Sequence, residues 1–216
     1  MTTGQLRGAG QSEGPEAAEH IDGRLLRSIR TRDRVLDAFL ALIEEGDLSP
    51  TAQRVAVRAQ VSLRTVFHQF EDLDTLHRLA GERLRERIAA VTESVDPSLP
   101  LPQRLDAFAR RRARVLTVLH PLASAARLRE PVSEALRENR DALLAVARAQ
   151  LETVFAPELA PLSDGARREL LAALGLVTSW AAWWQLREES GLDAREAEAV
   201  LRSGVAALLA GRDSLR

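Results

Sequence analysis

Apolar positions recur at intervals of three and four along most of the chain, the spacing of one helical face, and no stretch sustains strand alternation. The first clear set is Val35, Leu36, Phe39, Leu40, Leu42 and Ile43. It predicts a helix from about residue 31 or 32 to 45, closed by Gly46. After a turn over 47–50 come two short sets, Val55-Ala56-Ala59 and Val66-Phe67-Phe70, with Thr51 and Ser62 placed to cap the helices that carry them. Leu73, Leu76, Leu79, Leu84, Ile88 and Val91 then predict one long helix from about 73 to 91. Pro97, Pro100 and Pro102 mark a break. Beyond it, helices are expected near 103–119, 121–129, 132–155, 164–189 and 194–210. The fold class is therefore all-α. A polar tail (1–23), in which His20 is read as inert, precedes a small helical domain (24–92) and a larger one (93–216).

The two short sets hold the sharpest signal. Thr51 to Phe70 carries Arg54, Arg58, Arg64 and His68 but no acid, although acids flank it on both sides. Two short helices, a tight turn at Ala59-Gln60-Val61 and a cap at Ser62 describe a helix-turn-helix. Such a motif lays its second helix in the major groove with the N-terminal residues on base edges. Those residues are Ser62, Leu63, Arg64 and Thr65, with His68 and Gln69 one turn on. Arg64 suits a bidentate contact to guanine, and Gln69 an adenine or a phosphate. Arg54, Arg58, Thr51 and Thr65 are candidates for phosphate contacts, Gln53 is a further exposed member of the first helix, and His68 suits either role. Phe67 stands in this set by position but, like Phe70, reads first as core.

Val55-Ala56, Ala59, Val61-Ser62, Arg64-Thr65-Val66-Phe67, Phe70 and Leu76 resemble the DNA-binding signature of TetR-family transcriptional regulators, over about 32–79. Four positions depart from the family pattern. Gln60 replaces the usual turn glycine, Phe67 a tyrosine, Leu73 a backbone-reaching lysine, and Arg64 a residue that is often small. The resemblance implies a homodimer joined through its last two helices, here carrying Leu170, Ala173, Leu174, Val177, Val200, Gly204, Val205, Ala207 and Leu208. Its recognition helices would lie about 35 Å apart, one turn of DNA, on a palindromic operator. It also implies repression relieved by a small-molecule effector bound in the second domain, with the helix over 73–91 transmitting the change.

Composition narrows the alternatives. The 216 residues, 45% of them hydrophobic, suffice for a buried core, and a net charge of −1 excludes a uniformly basic coat, so DNA affinity requires a local patch. Arg24, Arg27, Arg30 and Arg32 form one basic cluster, read equally as an arm on phosphate or as a solvated lead-in. Arg110, Arg111, Arg112 and Arg114 form another, read first as a solvated face and second as an anion-binding wall. His77 is expected at the surface, and His120 at a helix break before Pro121. The uncharged run 170–186 holds all three tryptophans and is somewhat short for a bilayer. It reads as a bundle helix whose Trp180, Trp183, Trp184 and Arg187 share a face, either as packing or as a cavity wall. A ligand set of Phe108, Arg112, Leu119, Phe155, Trp180, Trp184 and Arg187 favours an apolar or aromatic effector, anionic if Arg112 or Arg187 points inward.

No cofactor or metal is expected. There is no cysteine, and no Glu-x-x-His pair for a bundle di-metal site; Asp74-Thr75-Leu76-His77 comes nearest. No phosphate-binding Gly-rich loop and no Gly-x-Ser-x-Gly elbow occurs either, which disfavours an enzyme. The N-terminus has no apolar signal region, so a cytoplasmic protein without a membrane partner is expected. The remaining alternative is an all-helical dimer that binds small molecules or protein and no DNA.

Overall fold

The computed structural model describes residues 15–70 and 72–211, with the side chains of 15–24, 73 and 91 excepted. Among these residues every regular element is helical. The expected tail lies outside the described residues as far as residue 14. From Pro15 the backbone is helical and runs into the first core helix, so α1 (Pro15–Glu44) starts well before the expected 31 or 32. Proline suits a first helical turn, and Glu16, Ala17, Ala18, Glu19, Leu25 and Leu26 are strong helix formers. Propensity rather than amphipathic spacing carries this stretch, which is why the periodicity missed it.

Gly46 ends α1 as expected, at φ 95, with its N–H on the Ile43 carbonyl and that of Asp47 on Leu42. Then come α2 (Ala52–Ala59), α3 (Leu63–Gln69) and α4 (Leu73–Val91), close to the predicted spans. Gln60 repeats the Gly46 device without a glycine. It sits at φ 55, its N–H on the Val57 carbonyl and that of Val61 on Ala56. A left-handed L-residue costs about 1–2 kcal/mol, so the turn is formed against local strain. Val35, Phe39 and Ile43 of α1 share a core with Val55, Ala56, Val66, Phe70 and Leu76.

The larger half is a bundle around α5 (Leu101–Arg129), which packs against α1, α4 and the later helices. Pro121 does not divide it, contrary to the expected break. Thr117, whose carbonyl loses its amide partner there, is exposed, while Leu116, Leu119, Leu122 and Ala125 hold the stripe on either side in the core. A single 3₁₀ turn (Glu130–Val132) leads to α6 (Glu134–Val154) and α7 (Ala156–Leu159). The predicted helix over 164–189 is instead α8 (Asp164–Val177) and α9 (Trp180–Trp184), followed by a π turn (Gln185–Glu189). Ser179 starts the new helix by accepting the Ala182 N–H at 3.0 Å. Last is α10 (Ala194–Ala210), opened by an Asp193–Glu196 capping box. Far from α3, Arg104 and Glu158 close the bundle with a buried bidentate pair at 2.6 and 2.7 Å.

Candidate nucleic-acid interface and cavity

The turn between α2 and α3 is fixed at both ends. Thr51 accepts the Arg54 N–H at 3.3 Å, and Ser62 accepts the Thr65 N–H at 3.0 Å. Val55, Ala56, Ala59, Val66 and Phe70 are buried on one side of the pair. The opposite side exposes Gln53, Arg54 and Arg58 on α2, and Leu63, Arg64, Phe67 and His68 on α3, with Ser62 at its cap. Thr65 is half-buried, its hydroxyl 2.8 Å from that of Ser62. Phe67, read first as core, is 53% exposed, whereas Phe70 is buried beneath the Arg32 guanidinium, 5.5 Å from its ring. With α3 only two turns long, Val66 and Phe70 already fill its inner side. Gln69 is half-buried and meets Ser28 of α1 at 3.3 Å, which ties α3 to the basic stretch preceding it.

The three arginines of this surface differ. Arg54 pairs with the largely buried Asp47 at 2.9 Å and Arg58 with Glu45 at 2.5 Å, the second pair exposed on both sides. Arg64, at the start of α3, has no ion-pair partner among the described residues. An exposed pair such as Arg58–Glu45 contributes at most about 1 kcal/mol, so a phosphate can replace that carboxylate at small cost.

A cavity of about 580 Å³ lies between α4, α5, α6 and α9. Of the expected ligand set, Arg112, Leu119 and Trp180 line it. Phe108 and Phe155 do not; they pack edge-to-face at 5.2 Å in the core. Trp184 is also absent from the lining and lies under the Arg127 guanidinium, 5.4 Å away. Arg187 is turned aside by the π turn and donates to the Leu192 carbonyl at 2.8 Å. Trp180 and Trp184 share one face of α9 beneath the Arg127 guanidinium, which lies 5.9 Å from the first ring, but only Trp180 reaches the cavity, and the π turn carries Arg187 aside. Trp183 is fully buried as packing. The wall is mainly aliphatic, with Leu84, Ile88, Val115, Leu122 and Leu143 prominent, and it also carries Arg85, Arg111 and Gln150.

The basic run on α5 splits by helical geometry. Arg110 and Arg114 are exposed, and Arg111 and Arg112 reach the cavity. Arg112 is buried, and desolvation, with a smaller contribution from the Arg111 charge, pulls its guanidinium down to about 10. It stays charged at neutral pH. His77 is buried rather than at the surface, edge-on to Phe39 at 4.9 Å and lining the cavity on its other side. Burial, then the nearby Arg129 charge, lowers it to about 4 against the opposing pull of Asp74, so it is neutral at pH 7.

No family model and no curated protein sequence matches the chain. Solved structures do. A transcriptional regulator from Rhodococcus sp. Rha1 superposes with a TM-score of 0.67 at 20% identity, over 83% of this chain and 96% of that one. A protein of Mesorhizobium loti MAFF303099 assigned to the TetR family of transcriptional regulators gives 0.59 at 19%, over 85% and 97%. The multidrug binding protein EbrR, solved with imidazole, gives 0.55 at 21%, over 80% and 93%. The chain has the TetR-type regulator fold.

Within the TetR-type fold, α4 both packs on α1 and lines the cavity. Leu76 and Ala80 belong to the core it shares with α1, and His77, Gly81, Leu84, Arg85 and Ile88 line the cavity. Gly81 is a close-approach position that sequence reading overlooked. A Cβ there would stand 2.5 Å from Nδ2 of Asn139 on α6. Asn139 in turn donates to the His77 carbonyl at 3.3 Å and accepts from Arg85 at 3.2 Å. A glycine inside a long helix was the available signal, since it costs about 1 kcal/mol against alanine unless packing requires it.

Proposed function

We propose that this chain is a sequence-specific DNA-binding transcriptional regulator, a repressor that leaves its operator when a small molecule occupies the cavity beside α4. The observation that carries the reading is the α2–α3 face: capped, acid-free from 51 to 70, and led by an exposed Arg64 without an ion-pair partner among the described residues. Arg64 reads a base, and Arg54, Arg58, Thr51 and Thr65 hold phosphates. Gln69, engaged with Ser28, serves to place α3 on α1.

The reading includes a homodimer on a palindromic operator. Support comes from the outer faces of α8 and α10, where Leu176 is 70% and Val200 47% exposed beside Val177, Gly204 and Ala207. α8 and α10 pack against each other there, with Gly204 beside Val177. Leu170, Leu174 and Val205, expected at the same interface, are instead buried within the chain. The protein acts by binding rather than catalysis, in the cytoplasm, with Arg27 and Arg30 of α1 available to backbone phosphate.

A mobility-shift titration of the full chain on the DNA upstream of its own coding region tests this, repeated across salt concentrations. A specific shift whose affinity falls steeply with salt is expected, with slope about −0.9 per phosphate neutralised. No shift beyond that of unrelated DNA would favour the all-helical binding protein without DNA activity.

A further inference from the structure

The cavity is rich in donors and short of acceptors. Among the described residues, Arg111 Nε, Gln150 Nε2 and Trp180 Nε1 are buried in or against its wall without a hydrogen-bond partner. Arg112 uses its Nε on the Thr178 carbonyl at 2.7 Å, where the C-terminal end of α8 partly offsets its charge. The one lining carboxylate, Glu130, is taken by Arg140. Arg111 and Arg112 therefore face the cavity with no carboxylate in ion-pair range among the described residues. Burying charge and donors in this way is costly until acceptors arrive. The remaining wall is aliphatic, and about 580 Å³ lies within the range for a small-molecule site.

We propose that the cavity takes a small amphipathic carboxylate, its head received by Arg111 and Arg112 with Gln150 and Trp180 as neutral donors, and its apolar body lying along Leu84, Ile88 and Leu143. Neutral apolar molecules of the same shape leave those donors unmet, and cationic ones add repulsion. The inference deepens the effector reading above and rests on it for its regulatory meaning.

Calorimetric titration of the full chain with decanoate, decanol and decylamine, and with naphthoate, naphthylmethanol and naphthylmethylamine, tests it. In at least one series the carboxylate is expected to bind about tenfold to a hundredfold tighter than the alcohol, with the amine weakest. Arg111→Met should erase that margin and leave alcohol binding intact. Because Arg111 is only half-buried, this variant keeps the test open if Arg112→Met fails to fold. The proposal is overturned if an alcohol or amine matches its carboxylate in every series, if no carboxylate binds, or if Arg111→Met retains the margin. Release of upstream DNA is read separately. Decanoate that binds without releasing DNA defeats the effector reading and leaves the anion site standing; release by decanol with no carboxylate margin does the reverse.

Discussion

Arg64 and Arg111 both lack a carboxylate among the described residues, yet their surroundings are opposite. Arg64 stands exposed at the start of α3, where water carries its charge and a polyanion can displace that water. Arg112 stands buried and its neighbour Arg111 half-buried against a largely aliphatic wall, where water carries their charge less well. The exposed arginine waits at little cost and gives affinity that salt screens. The pair at the cavity wall holds unmet donors that a small ligand can reach. Arg104 is a third case, buried like Arg112 but satisfied by Glu158 and by the Leu99 and Val154 carbonyls. Burial alone therefore does not mark a site; burial without a partner does.

The comparison breaks most readily at Arg104. Glu158→Ala should cost about 3–5 kcal/mol by denaturant unfolding, because it strands a buried guanidinium. Arg112→Met should cost the ligand-free protein less, about 1–2 kcal/mol, since it removes a charge that has no acid partner and loses only the bond to the Thr178 carbonyl. Equal losses at the two positions would erase the distinction between structural and ligand-facing arginine.

Histidine sharpens the contrast, because it can shed the charge that arginine keeps. His77 is lowered to about 4 in the folded chain from an ordinary 6.5. The unfolded chain therefore binds the extra proton first, and stability falls as pH drops from about 6.5 toward 4. Burial of the neutral ring should account for about 2–3 kcal/mol of that loss. His77→Phe should flatten the slope of unfolding free energy over this window, and an unchanged slope would assign the loss to carboxylates.

At the exposed surface the expected effects are smaller. Arg64→Ala should weaken specific binding by about 1–3 kcal/mol and relax preference at one base position per half-site, read by selection from randomised sites. Arg58→Ala should weaken all sequences alike and flatten the salt dependence. The smallest effect is at the turn, where Gln60→Gly should raise stability by about 0.5–1 kcal/mol by relieving the left-handed backbone.

The two regions were unequally legible in the sequence. The α2–α3 surface is local: caps, turn and exposed face are encoded within 51–70, so Thr51, Ser62 and the strained Gln60 could be read directly. Phe67 was misjudged because residue type suggests burial, while a two-turn helix has room for only Val66 and Phe70 inside. The cavity is assembled from four helices, and its lining depends on rotations that periodicity does not fix. Pro121 was outweighed by the buried stripe around it, and the π turn after Trp184 carried Arg187 aside to the Leu192 carbonyl. Gly81 and Asn139 meet across 58 positions of sequence, a pairing that only packing reveals.

The most direct measurement is a paired anisotropy titration on labelled upstream DNA, with and without saturating carboxylate, for the wild type, Arg64→Ala and Arg111→Met. The account predicts separable losses: Arg64→Ala loses DNA affinity and keeps carboxylate binding, and Arg111→Met keeps DNA affinity and is not released at a carboxylate concentration that just saturates the wild type. Substitutions that each abolish both activities, or an Arg64→Ala protein that binds DNA as the wild type does, would contradict it.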